Sequence, residues 1–194
     1  MGCDIFNKTY LWSRREKRYI DSYDILVRYD IEISHLIPDI VGDRFYDLFG
    51  AFGCRSRSYY PEMSRLNYGI PPFLEGTAFG KMVSAPDTGN FGFCWIFLPD
   101  LKVSIDEYNA KLRDPELYYS DKECEQYLDY KDGFFSKEEF EKENLHVIDG
   151  LENVRKRVVQ VETDLTSETS AWRKDEIMEE VDVGKTVFFI WFNN

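Results

Sequence analysis

Val187-Phe-Phe-Ile-Trp-Phe192 carries no polar residue. An unbroken apolar run of this length reads as a strand covered on both faces, because alternate side chains point to opposite sides and here both sides avoid water. A central strand is therefore predicted at the end of the chain, with a packed layer on each face.

Such a strand needs neighbours. Cys3 to Trp12 is rich in strand formers, and Arg14 to Arg18 reads as a charged turn. Ile25-Leu-Val-Arg-Tyr-Asp-Ile-Glu-Ile33 places Val27, Tyr29, Ile31 and Ile33 on one face and predicts a second strand beside the first. Phe91 to Leu98, stopped by Pro99, predicts another buried strand.

Helical signals lie between these runs. Phe45, Leu48, Phe49 and Phe52 recur at spacings of three and four, with Asp43 as N-cap and Gly53 as C-cap, so a short helix is expected over 43–53. Ser104-Ile-Asp-Glu107, Ser120-Asp-Lys-Glu123 and Ser136-Lys-Glu-Glu139 each have capping-box form, which predicts helices near 105–113, 121–130 and 137–144. Val147, Leu151, Val154, Val158, Val161 and Leu165 mark the longest helix, with Arg155, Lys156 and Arg157 on its outer side. Trp172 to Val181 predicts one more. Residues 55–92 hold four of the seven prolines and read as a long irregular loop. The expected fold is α+β: one domain over residues 1–194, a mainly antiparallel sheet with several short helices and one long helix packed on it.

Charge narrows the partners. With 24 basic and 36 acidic residues the formal net charge is -12, which repels phosphate backbones and anionic lipid. Neither direct nucleic-acid binding nor membrane association is expected, and no apolar run approaches a membrane span. The surplus of aromatics, 15 Phe, 13 Tyr and 4 Trp, serves mostly the core but also suits binding surfaces.

Catalytic and metal motifs fail on their spacing. Cys3, Cys54, Cys94 and Cys124 have no C-x-x-C pattern, and His35 and His146 are the only histidines, so no zinc site is expected. The stretch from Leu128 to Phe140 sounds like a calcium loop, but the first and third ligand positions fall on Leu128 and Tyr130. Gly89-Asn-Phe-Gly92 lacks the Lys-Ser/Thr of a phosphate loop. Neither cofactor nor metal is predicted.

Four islands together carry a resemblance. They are the opening Met1-Gly-Cys-Asp-Ile5, the Arg44-x-Tyr46-x-Leu48-Phe49 segment ending near Arg55, the Trp95 strand leading to a Ser-capped helix, and the terminal Val187-Phe-Phe-Ile-Trp-Phe-Asn-Asn194. The chain resembles phage-encoded proteins that begin Met-Gly-Cys-Asp-Ile-His. It departs from them at Phe6, where they carry His, and at Phe91-Gly-Phe-Cys94, where they have a His/Ser-rich lead. The resemblance implies a viral origin, carries no reaction with it, and makes Asp4, Arg44, Tyr46, Asp47, Arg55 and Trp95 the candidate ligand- or partner-binding residues.

The function expected is a non-catalytic phage accessory protein in the host cell cytoplasm that binds and inhibits a host protein, a bacterial defence component fitting best. The alternative is a sponge for a nucleotide-derived immune signal, with aromatics stacking on the base and Arg44 and Arg55 taking the phosphate. A small hydrolase using Asp4 and Asp47, or Cys3, ranks last, because apolar groups stand where the relatives offer histidine.

Overall fold

In the computed structural model β5 (Val181–Asn193) is the middle of a five-stranded sheet. Residues 4–29, 51–52, 63–113, 137–166 and 179–193 are described. β1 (Asp4–Ser13) and β4 (Asn90–Phe97) flank β5, and β2 (Arg18–Asp21) and β3 (Asn67–Tyr68) form the edges. The order is β2-β1-β5-β4-β3, with every pairing antiparallel. The protein is thus α+β, with helices laid on an antiparallel sheet.

The apolar run does what its pattern requires. Phe188, Ile190 and Phe192 enter one core with Ile5, Leu11, Cys94 and Ile96, while Val187 and Phe189 enter a second core with Tyr10, Leu74 and Val83. All five of these β5 side chains are fully buried. Removing each from water stabilises the fold by roughly 1.5–3 kcal/mol.

The helix-covered face meets α3 (Leu98–Arg113), through Leu101, Ile105 and Leu112, and α4 (Lys137–Thr166), through Val147, Leu151, Val154 and Val158. α3 begins at Leu98 rather than near residue 105. Pro99 does not block it, since a first-turn residue has no intrahelical N–H bond to lose. Ser104 is consequently no cap: it is buried mid-helix and donates to the Ser64 carbonyl at 2.6 Å. α4 is one continuous helix where a short helix over 137–144 and a separate long one were expected. Arg155, expected on the outer side, bonds Asp106 of α3 at 2.5 Å.

The stretch 25–33 is not a strand where it is described. α1 (Ser22–Arg28) occupies it, because Asp21 caps the first turn by accepting from the Tyr23 N–H at 3.0 Å and Arg28 lies in the last turn. Ile25 and Tyr29, four apart, reach the core, whereas Val27 is exposed. The neighbour of β1 is instead β2, reached through the charged turn at 14–17.

The segment expected to be irregular carries short elements. Single 3₁₀ turns occupy Pro72–Leu74 and Pro86–Thr88, and α2 (Ala78–Val83) is capped by Thr77. Ile70, Phe73, Leu74, Phe79 and Val83 cover the second face of the sheet. Gly92 sits at a register shift between β4 and β5 with φ +59, and an added Cβ would lie 2.5 Å from the Phe192 ring. Both the left-handed backbone and the close approach demand glycine.

The helix expected near 121–130, residues 172–178 of the one expected over 172–181, and residues 43–50 and 53 of the one expected over 43–53 lie outside the described residues. Glu179 and Glu180 are helical, but Val181, expected in that helix, already opens β5. Ala51 and Phe52 form a buried turn. Among the described residues no helix is long and apolar enough to cross a membrane.

Candidate anion-binding cleft

The β1–β2 turn begins at Ser13, whose hydroxyl accepts from the Glu16 N–H at 3.0 Å and holds the turn closed. Lys17 takes a left-handed conformation, φ 52, letting the chain reverse into Arg18. This geometry places Arg14 and Arg15 at the outside of the turn, beside the end of α1 and the start of β5. Together with Arg28, Tyr29, Glu179 and Glu180 they line a cleft of about 540 Å³.

Glu180 anchors the site. Only 4% of it is exposed, yet it is surrounded by donors. Ser13 Oγ donates to its Oε1 at 2.9 Å, Arg28 donates to the same oxygen at 2.8 Å, and the Tyr29 hydroxyl donates to Oε2. Its backbone carbonyl accepts from the Arg14 N–H at 2.7 Å. Burying a carboxylate is costly unless its oxygens are engaged, and here both are.

Arg28 is held from a second side. It meets Glu16 at 2.6 Å, and Glu16 also bonds Arg18. The Arg18 guanidinium, followed by that of Arg28, holds the Glu16 carboxyl below its ordinary range. Arg28 is therefore a fixed wall whose charge is already balanced.

Arg14 and Arg15 differ. Both are exposed, and neither side chain forms an ion pair with a described residue. On a chain of net charge -12 with abundant carboxylates, two adjacent unpaired guanidiniums at the mouth of a cleft leave ten N–H donors for an anion. Among the described residues that line the cleft, Arg14, Arg15 and Arg28 stand against Glu179 and Glu180, with Glu16 beside Arg28.

Asp4 and Trp95 are the two expected site residues that are described, and they are not brought together. Asp4 opens β1 opposite Asn193, and Trp95 lies in β4 opposite Phe189. They share one face of the sheet, but Asn193 and Phe189 are four residues apart along β5, about 13 Å at ~3.3 Å per residue. Trp95 packs edge-on against Phe97 at 5.6 Å as part of the second core. Neither residue lines the cleft. Arg44, Tyr46, Asp47 and Arg55 lie outside the described residues, as do Cys3, Cys54, Cys124 and His35.

Of the remaining chemical candidates, Cys94 is buried, with its thiol 3.3 Å from the Phe52 carbonyl, and His146 is exposed within α4. Among the described residues no group of three or more His, Cys, Asp or Glu side chains could hold a metal ion.

In the sequence Arg14 and Arg15 stand out only as a charged turn, and nothing there points to Arg28 or Glu180. The Arg28–Glu180 bond spans 152 residues, so no local pattern announces it. The adjacent arginine pair in a short turn was the one visible signal. No family model, curated protein or solved structure matches this chain.

Proposed function

We propose that this protein acts by binding rather than by catalysis, as a phage accessory protein that occupies and disables a host component. A protein of a bacterial defence system fits best, and the host cytoplasm is where the two would meet. The observation that carries the binding reading is the state of Glu180. A carboxylate serving as general base needs a free oxygen facing the substrate, whereas Ser13, Arg28 and Tyr29 occupy both oxygens of this one. What the cleft offers a visitor is charge and donors. The viral setting rests on the opening Met1-Gly-Cys-Asp-Ile5 and the other islands of resemblance.

A second reading, a sponge for a nucleotide-derived immune signal, is favoured by the cleft itself. Its volume of about 540 Å³ lies in the range of small-molecule sites, and its arginines suit phosphate better than a protein surface at large. Affinity capture from host lysate, with the wild type and an Arg14→Gln/Arg15→Gln double variant in parallel, tests the first reading. A host protein retained at moderate salt by the wild type and lost by the double variant is expected. No specific partner for either form sinks the host-component reading.

A further inference from the structure

We propose that the cleft formed by the β1–β2 turn, the end of α1 and the start of β5 is a site for a small, singly charged phosphodiester of nucleotide size. Arg14 and Arg15 would be its gripping residues. This assignment rests on the binding reading above and deepens it by naming the ligand chemistry.

Charge selects the ligand. Arg28 cannot supply much to it, because Glu16 at 2.6 Å and Glu180 at 2.8 Å already take its guanidinium from two directions. Its role is positional: it stiffens the wall and keeps the buried carboxylate satisfied. The usable attraction comes from Arg14 and Arg15, reduced by exposed Glu179 on the same lining. Among the described lining residues, Arg14 and Arg15 against Glu179 leave one surplus positive charge, which matches one negative charge.

A terminal phosphate monoester, carrying about -1.5 to -2 at neutral pH, would overfill that balance inside a molecule whose net charge is already -12. A polymeric backbone would do so further, and counterion release cannot compensate without more basic groups to receive the phosphates. A diester presents two free oxygens in the plane that a guanidinium fork recognises, with a single charge. Its flanking groups have room in about 540 Å³.

The arginines are also placed for the task. They sit on a four-residue turn fixed at both ends, by the Ser13–Arg18 strand pair and by the Arg14 N–H bond to the Glu180 carbonyl at 2.7 Å. Their backbones are thus held while their side chains are free, which limits the ordering cost to the side chains alone.

Calorimetric titration with three probes tests this: ApA, which has one diester, AMP, which has a terminal phosphate, and adenosine, which has none. ApA should bind, AMP more weakly, and adenosine not detectably. Arg14→Gln/Arg15→Gln should weaken ApA by at least about tenfold, since removing a charge-assisted hydrogen bond lowers affinity by about that factor. Lys156→Gln, on the exposed face of α4, should leave ApA binding unchanged, and the melting temperature of both variants should match the wild type. AMP binding as tightly as ApA, or ApA binding that survives in the double variant, overturns the proposal. So does no ApA binding by folded wild type; if the double variant then still loses its captured host protein, only the ligand assignment has failed and the binding reading stands.

Discussion

Replacing Glu180 separates what the clamp does for stability from what it does for the cleft. Glu180→Ala leaves the Ser13 hydroxyl, itself fully buried, with no acceptor, and takes one of two carboxylates from Arg28. An orphaned buried hydroxyl costs ~1–3 kcal/mol. Breaking a fully buried pair costs ~3–5 kcal/mol, but the Arg28 side chain is 33% exposed and keeps Glu16, so its share falls to ~1 kcal/mol. The alanine variant should lose about 3 kcal/mol. Glu180→Gln keeps the carbonyl oxygen that Ser13 and Arg28 use, and its new amide can donate to the Tyr29 hydroxyl if that hydroxyl turns. Only the charge assistance is lost, about 1 kcal/mol. For a chain of this size the two losses correspond to melting temperatures lower by roughly 6–12 °C and 2–4 °C. Urea unfolding followed by tryptophan fluorescence, with calorimetry alongside, measures both. Equal losses in the two variants, or less than ~1 kcal/mol for alanine, would show that Glu180 is not held as described.

Phe188→Ala empties a fully buried position in the central strand and should cost about 3–5 kcal/mol by chemical denaturation, with partial unfolding at ambient temperature if the total stability is small. Gly92→Ala forces a Cβ against the Phe192 ring at φ +59, and its loss of roughly 2–3 kcal/mol should shrink in a Gly92→Ala/Phe192→Leu pair measured against Phe192→Leu alone. Glu16 is a carboxylate whose folded pKa lies below its ordinary 4.5, first through Arg18 and then through Arg28. Its contribution is present above the unfolded pKa and lost as pH falls through the lowered folded value, so Glu16→Gln should flatten the acid side of the stability–pH profile below about pH 4.5 and leave the neutral side parallel to wild type. Burial, followed by Asp21 and Asp24, pushes the Tyr10 hydroxyl above its ordinary 10. Stability should therefore fall as pH rises past about 10, and Tyr10→Phe should lessen that slope in alkaline melting curves, leaving the part owed to Tyr19, whose hydroxyl is also raised, first by burial and then by Asp182.

Features that depend on near neighbours were legible in the sequence. The apolar run at 187–192 dictated a strand buried on both faces, because no other placement keeps six apolar side chains from water. The short aromatic run ending in Phe97 and the strand formers of β1 marked two further strands, though not their order in the sheet, and the long 4-3-4-3 rhythm marked α4. Strong acidity was equally plain, and it is what makes two unpaired arginines informative. Everything else waited on parts of the chain that meet only in the folded molecule. Whether 25–29, the described part of the stretch 25–33, formed a strand or a helix turned on a single hydrogen bond at Asp21 and on burial of Ile25, which weigh more than an alternating pattern that both structures tolerate. The Ser-x-x-Glu box at 104–107 was a sound local signal overruled when Pro99 opened the helix early and Ser64 gave Ser104 a different partner. The cleft was beyond sequence for the same reason. Its chemistry arises where a turn at 14–17, a helix end at 28 and the residue just before the strand start at 181 converge, and it takes the whole sheet, with β5 laid back against β1, to bring Glu180 to Arg28.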